Sequence, residues 1–430
     1  MRFLIETEDQ LQELLYKGFE KVFIAAIPQN YNYHPALTTI NSLYIRDLKS
    51  TQSFLIPILH HEALKLETDV QEIISQYKEI YTLDKKFQLH LAPNFEGAID
   101  IGFYNSINIV DSFCPTINYF YQKYPTLKNL NALIPIVKLY ELWENILNQA
   151  VLEPAPHLTP YIQFASTHVT DAFYNIEKNA IGLDINAFDD YFDIPHKQYN
   201  VVENSIYSQY NLYNTTTRPS NHFNGINFLA LNKDTGERQA FIPQNSTFIE
   251  MDFSAYHPTL CGKIIGQDFV GYDAVVEKLG IEKSEAKQKT FRFLYGGIKE
   301  GLEEVDWFKK VSYFIDNLWD EFLENGYIEN PISKKRFYGD KLENINKQKL
   351  FNYLLQSLET VISVTKIQQI QQVLKDAKTK IVLYVYDSIL LDVDKSEKAL
   401  LAQIKQILEQ DGFKVGLSYG NNYNNLKKLN

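Results

Sequence analysis

The sequence predicts a multidomain chain, α/β in its first part and α+β in its second, and three observations carry that expectation. Residues 1–130 alternate strand-like and helix-like periods, and residues from about 130 to 177 read as mostly helical. Beyond residue 245 the rhythm changes to apolar runs that end on aspartate, separated by long helical stretches. A chain of 430 residues exceeds one ordinary core, so two or three domains are expected. Hydrophobic content of 45% against 22% charged residues indicates folding throughout, without low-complexity tracts or a fixed-period repeat.

The elements follow in order. Glu8–Tyr16 has the spacing of a short amphipathic helix, residues 21–27 form a buried strand, 53–59 another, and 69–77 a helix. In the second part, residues 247–252 are an apolar strand running into an acid. Residues 284–295 have helical spacing and stop at Gly296-Gly297, a C-terminal signal. Residues 347–374 form a long helix. Residues 380–386 and 389–393 are β-rich and flank Asp387-Ser388, which places an acid at the tip of a hairpin.

Composition narrows the function classes. Acidic residues follow Met1-Arg2-Phe3-Leu4-Ile5 before any long apolar run, so a secretory signal is not expected, nor is a membrane-spanning helix downstream. Two cysteines, Cys114 and Cys261, exclude a disulfide scaffold and a cysteine-rich zinc site, and fit a reducing cytoplasm. A formal charge of −11 weighs against a nucleic-acid partner, because neutralising phosphates needs Lys and Arg. Charge is local, however. Residues 333–349 carry Lys334, Lys335, Arg336, Lys341, Lys347 and Lys349 against Asp340 and Glu343, which is either a phosphate-facing segment or a solvated surface run.

The chemistry starts from two acids. Asp252 ends Phe248-Ile249-Glu250-Met251, and Asp387 sits within Tyr384-Val385-Tyr386-Asp387-Ser388-Ile389-Leu390. An acid on so apolar a strand is costly to desolvate without a cation or partner. Two such carboxylates on neighbouring strands can hold a pair of Mg²⁺ ions that clamp the attacking and leaving oxygens of an in-line displacement. Each alone reads first as an ordinary strand-end or turn aspartate. Between them, Lys283, Lys287, Phe291 and Tyr295 fall at i, i+4, i+8 and i+12, drifting slowly around one helix face. Two cations followed by two aromatics could grip a triphosphate and stack on its base; the plainer alternative is a solvated lysine face merging into a core stripe.

The order of further motifs gives these residues a common context. Thr217-Arg218-Pro219-Ser220, Asn224-Gly225-Ile226-Asn227, Gly236-Glu237-Arg238-Gln239-Ala240-Phe241-Ile242-Pro243 and Met251-Asp252-Phe253-Ser254 follow one another. Ala286-Lys287-Gln288-Lys289-Thr290-Phe291-Arg292-Phe293-Leu294-Tyr295-Gly296 and Asn352-Tyr353-Leu354-Leu355-Gln356-Ser357 come next, and residues 384–393 close the series. In order and spacing this series resembles the family A, DNA polymerase I-like, polymerases, from the T-G-R-x-S motif through motifs A and B and the N-x-P-x-Q-G helix to motif C.

The resemblance implies a palm and fingers with an antiparallel palm sheet, synthesising DNA from dNTPs on a primer-template. It implies that Asp252 and Asp387 hold two Mg²⁺ ions, Mn²⁺ being a possible substitute, with the Phe253 carbonyl as a further ligand. Lys287 would hold phosphate oxygens, and Lys283 stands where the family usually has arginine. Phe291 would stack on the incoming nucleotide; family members with phenylalanine here discriminate against dideoxynucleotides, whereas tyrosine admits them. Tyr295 and Gly296 would shape the template-base pocket. Arg218, Asn352, Gln356 and Tyr386 would contact nucleic acid, the first three in the minor groove, where shared acceptors allow sequence-neutral reading.

The departures are specific. Motif C normally reads His-Asp-Glu, and here it is Tyr386-Asp387-Ser388, with the second carboxylate gone, as it is in single-subunit RNA polymerases. Five residues after the first aspartate the family places a glutamate that blocks the ribose 2′-hydroxyl; this chain has His257, read as a bulky gate that still favours deoxynucleotides.

Residues 1–130 resemble, more faintly, the RNase H-like 3′–5′ exonuclease domain of the same family. Ala26-Ile27-Pro28 stands where that domain carries Asp-x-Glu, and Gln88 stands where its second motif ends in Asp, leaving Asp111 as an isolated acid. The expectation is a domain without proofreading. Phe173–Asp184 resembles the opening of the polymerase domain, and the interval from Asp184 to Arg218 is too short for the family's long helical thumb. Three divisions follow: 1–130 exonuclease-like, 131–216 a helical connector with a reduced thumb, and 217–430 palm and fingers. Weak duplex binding would then call for a processivity or replisome partner, and such reduction suggests a phage or mobile-element protein in the cytoplasm of a bacterial or infected cell. Two competing readings remain: an RNA polymerase or primase, and a non-catalytic scaffold that stacks single-stranded bases on its Tyr and Phe residues.

Overall fold

Along the strand Lys21–Pro28 the side chains of Val22, Ile24 and Ala26 enter one core and those of Phe23, Ala25 and Ile27 another, all six buried. An uninterrupted apolar run buried on both faces is what a central strand requires. The computed structural model describes residues 2–30, 33–63, 66, 69–108, 134–196, 199, 201–221 and 225–429. The predicted Asp111 and Cys114, and Asn224 of the second motif, lie outside the described residues. The chain divides into two compact units, residues 1–213, 220–244 and 422–424 forming the first and 214–219, 245–421 and 425–430 the second.

The first unit runs β1 (Arg2–Leu4), α1 (Glu8–Tyr16), β2 (Lys21–Pro28), β3 (Ile40–Asp47), β4 (Ser53–Pro57), α2 (Val70–Ser75), β5 (Glu79–Thr82), α3 (Lys85–Leu91), β6 (Ile99–Asp100) and α4 (Ile101–Asn108). These six strands form one sheet in the order β1-β4-β3-β2-β5-β6. β2–β3 and β3–β4 pair antiparallel, whereas β1–β4, β2–β5 and β5–β6 pair parallel. One face is covered by α1 and α2 through Leu11, Leu14, Ile73 and Ile74. The other is covered by α5 (Ile136–Gln149), which contributes Leu139, Tyr140, Trp143, Ile146 and Leu147.

α1 begins where predicted because Thr7 and Gln10 form a reciprocal capping box. The helical stretch expected to residue 177 continues as α6 (Thr159–Phe164), a π-turn at Ala165–Val169, and α7 (Thr170–Glu177). Short elements complete the unit: β7 (Ile181–Leu183), α8 (Ile185–Tyr191), β8 (Ser205–Ile206), β9 (Tyr210–Asn211), β10 (Ser220–Asn221) and β11 (Phe241–Ile242). β7 lies between β11 and β8 in a small antiparallel sheet.

The second unit is built on β12 (Thr247–Phe253), followed by α9 (Tyr256–Ile264), α10 (Tyr272–Leu279), α11 (Lys283–Gly296) and α12 (Asp306–Asn325). β13 (Tyr327–Glu329) and β14 (Arg336–Tyr338) form a hairpin before the 27-residue α13 (Lys347–Val373). The chain closes with β15 (Lys380–Val385), β16 (Ser388–Val393), α14 (Lys398–Glu409), β17 (Val415–Gly420) and β18 (Lys427–Leu429). Five strands make one wholly antiparallel sheet in the order β15-β16-β12-β17-β18, with β12 in the middle. α13 packs against α9, α11, α12 and α14, which is why it buries residues around most of its circumference and carries little amphipathic pattern.

Candidate active site

β12 is buried along most of its length, and Asp252 is its exposed residue. Opposite it in register stands Ser388, and the amide of Phe253 donates to the carbonyl of Asp387 at 2.8 Å. One predicted acid therefore ends the central strand and the other sits in the turn beside it, at one end of the sheet. Asp387 projects from a two-residue hairpin, in which Val385 pairs with Ser388 and Tyr386 takes the left-handed conformation at φ 57°. The Ser388 hydroxyl, where the motif resemblance leads one to expect a second acid, donates back to the Val385 carbonyl. Partial desolvation, then the nearby Glu359, hold the Asp387 carboxyl above the usual range, against the opposing pull of Arg218 and His257.

Behind the hairpin lies a chain of polar contacts. The Arg218 guanidinium stacks on the Tyr386 ring at 3.9 Å, and its Nη2 donates to Oε1 of Glu359 at 3.1 Å. Glu359, on α13, is fully buried, and its Oε2 lies 2.7 Å from Nε2 of His257. Nδ1 of His257 meets the Tyr295 hydroxyl. His257 is itself buried on α9, whose first turn is reached through a left-handed residue, Ala255 at φ 51°. Tyr256 beside it bonds the Ser363 hydroxyl at 2.9 Å and stacks on Phe253 with ring centroids 4.3 Å apart.

Tyr295 belongs to α11, the helix with the predicted lysines and aromatics. Phe291 and Tyr295 lie parallel, with ring centroids 5.7 Å apart and an interplanar angle of 4°. The Lys287 ammonium stands 6.0 Å from the Phe291 centroid. Lys287 is exposed, and Lys283 forms an exposed ion pair with Asp273 at 2.9 Å, which solvent screens. The helix ends as expected, although the left-handed cap falls on Gly297 at φ 69°. A Cβ at Gly296 would make only ordinary contact with Ile298.

The C-terminus of α11 is fastened to α13. Asn352 donates from Nδ2 to the Tyr295 carbonyl at 3.0 Å, and Gln348 donates to the carbonyls of Phe293 and Leu294. Asn352, Gln356 and Glu359 follow at i, i+4 and i+7 on one face of α13. The structure thus brings Arg218, His257, Tyr295, Tyr386 and Asp387 into one connected group, with Phe291 and Lys287 extending from it. Sequence reasoning missed Glu359 at its centre. The available signal was a lone acid inside a long buried helical run, which only a partner on another element makes meaningful.

The basic segment resolves into local pairing. Lys334 and Arg336 pair with Glu329, and Lys347 with Asp316. Lys335 is buried, donates to the Asn214 carbonyl at 3.3 Å, and is pushed down to about 7 by burial.

In the first unit, Ala26 is core, and the buried Gln88 amide donates to its carbonyl and accepts from its amide at 2.7 Å. The group of His34, His90 and Glu177 has ligand atoms within 4.8 Å of one another. The Lys86 ammonium lies 2.7 Å from both Glu177 oxygens, so a divalent ion there would face an ammonium already neutralising the acid. Burial raises the Glu177 pKa, yet Lys86 and His90 outweigh it and hold the carboxyl at about 2. Among the described residues, no helix is long and apolar enough to cross a membrane.

No protein-family model matches the chain, and no curated protein is similar to it in sequence. Its fold is similar to a solved structure from M. smegmatis, the POL domain of Pol1 in complex with DNA primer-template and dNTP. That similarity has a TM-score of 0.68 at 12% sequence identity and covers 99% of each chain. The chain has a polymerase-domain fold, with mixed α/β units and antiparallel sheets.

Proposed function

We propose that this chain is a template-directed DNA polymerase of the family A type that adds deoxynucleotides to a primer 3′-hydroxyl. The observation that carries the reading is the placement of Asp252 at the end of the central strand beside the hairpin turn that carries Asp387, with a contact path from Tyr386 through Arg218, Glu359 and His257 to Tyr295. The M. smegmatis structure adds support, because a chain of the same fold there holds primer-template and dNTP.

The donor set suits divalent metal. An exposed carboxylate on a buried strand and a second one held above its ordinary range both gain from a bound cation. Asp252, Asp387 and the Phe253 carbonyl would hold two Mg²⁺ ions, which supply activation of the 3′-hydroxyl and neutralise charge developing on the phosphate. Around them, Lys287 holds phosphate oxygens, Phe291 stacks on the incoming base, His257 walls the sugar, and Tyr295 with Gly296 borders the template base. Arg218, Asn352, Gln356 and Tyr386 meet the primer-template.

The strand order β4-β3-β2-β5-β6, with its first two pairs antiparallel and the rest parallel, supports an RNase H-like ancestry for residues 1–130. The apolar, buried setting of Ala26 and Gln88 supports loss of proofreading. Residues 131–216 would serve as connector and reduced thumb.

A second reading, RNA polymerase or primase, is favoured by Ser388 and His257 at two positions where the DNA enzymes carry glutamate. Primer extension on DNA and RNA templates with both nucleotide sets separates the two. Extension with dNTPs supports the first reading, whereas preferential ribonucleotide incorporation overturns it.

A further inference from the structure

The neutral form of His257 can satisfy both of its ring contacts in only one way. The Tyr295 hydroxyl donates to Nδ1, and Nε2–H donates to Oε2 of Glu359 at 2.7 Å. Glu359 in turn accepts Nη2–H of Arg218 at 3.1 Å through its other oxygen. The ring is therefore held at both ends, by residues from α11 and α13, while its own backbone belongs to α9. His257 and Glu359 are buried, so water does not replace either partner at low cost. Tyr295 remains partly exposed and continues into the stacked pair with Phe291.

From this geometry we propose that Glu359 is the positioning residue for nucleotide sugar selection, acting by fixing the His257 ring as a rigid wall. The proposal rests on the polymerase reading above. It concerns Glu359, which is fully buried, bonds His257 and Arg218, and acts through His257. Without the carboxylate, Nε2–H loses its acceptor and Arg218 loses its charge partner. The ring then keeps a hydrogen bond at Nδ1 alone and can turn from the 2′ position. The wall loosens while the acids on β12 and the hairpin keep their strand pairing.

The test is primer extension by the full chain, comparing incorporation of dNTP and rNTP for wild type, Glu359→Gln and Glu359→Ala. The expected result for Glu359→Ala is a rise in the rNTP-to-dNTP ratio of about tenfold or more, the range in which one lost positioning contact alters discrimination. Glu359→Gln retains one acceptor for Nε2–H and should give a smaller rise, and it also covers the case in which the alanine variant fails to fold. A merely structural role would lower use of both nucleotides together and leave the ratio unchanged. An unchanged ratio in a variant that still extends with dNTPs overturns the proposal alone. A wild-type protein that extends with neither nucleotide set overturns the polymerase reading and this proposal with it.

Discussion

The carbonyl of Asp387 accepts the amide of Phe253 at 2.8 Å, so the hairpin tip is bonded to the end of the central strand, one residue beyond Asp252. Two acids that are far apart in sequence are thereby held in one backbone register. That register, more than either side chain, makes the pair a unit.

Replacing either acid with alanine should lower Mg²⁺-dependent primer extension by about 10³-fold, the scale of losing one preorganised electrostatic contact. Both side chains are exposed, so unfolding free energy should change by less than about 0.5 kcal/mol. Steady-state extension and urea denaturation on the same preparations check this. Substantial residual activity in either variant would place the metals elsewhere.

On α11, Lys287→Ala should reduce kcat/KM for dNTPs by about 10²-fold or more through lost phosphate contact. Phe291→Tyr should leave dNTP use nearly intact and raise dideoxynucleotide incorporation by about tenfold or more. Chain-termination assays report the second effect directly, and equal exclusion by both proteins counts against the stacking role of Phe291.

On the proposed loss of proofreading, a mismatched primer 3′ end should survive incubation with wild-type protein and Mg²⁺, since Ala26, set by the resemblance against the first exonuclease acids, is core backbone bonded to Gln88. Appearance of shortened primer would refute the loss of proofreading.

Lys335 gives a stability signature in the alkaline range. Burial lowers its ammonium to about 7 from the ordinary 10.5. Between these values the unfolded chain binds a proton that the folded chain has released, so stability rises as pH climbs through the window. Lys335→Met should therefore be more stable at pH 7, by about 1 to 4 kcal/mol, and lose the advantage toward pH 10. Thermal melts at several pH values measure the trend, and a variant less stable at pH 7 would argue that the ammonium is well compensated.

Glu177 behaves oppositely. Its folded value of about 2 lies below the ordinary 4.5, so its stabilisation is complete above 4.5 and disappears as pH falls toward 2. Glu177→Gln should cost about 3 to 5 kcal/mol near neutrality by leaving Lys86 unpaired. Denaturant midpoints of the two proteins should converge across that acidic window, and a constant gap would contradict the ion-pair account.

Elements set by local signals were legible in the sequence. Glu8–Tyr16 carries its own capping residues, β2 its apolar run, and α11 its terminal glycines, and each lies within a residue of where it was expected. The strand expected over 53–59 ends earlier, at Pro57, where the amides of Ile58 and Leu59 both turn to the one carbonyl of Asn41. The strand ends at Asp252 and Asp387 are legible from periodicity, whereas their proximity is an expectation only of the motif resemblance. Glu359 was not. Its importance lies in contacts to Arg218 and His257 across more than a hundred positions of sequence, and nothing in the surrounding helical pattern encodes them. The basic run misled for a related reason, since its acids, Glu329 and Asp316, sit outside the window in which charge was read.

The hydrogen bonds from α13 to α11 all fall at one extremity of the helix, which has a mechanical result. Gln348 and Asn352 pin its last turn by three carbonyls, whereas its first turn is tied near Lys283 by a screened surface pair. Fourteen residues of helix make a rod of about 21 Å. Tilting such a rod about its pinned foot leaves Tyr295 almost still and sweeps Lys287, and Lys283 further still, through the widest arc.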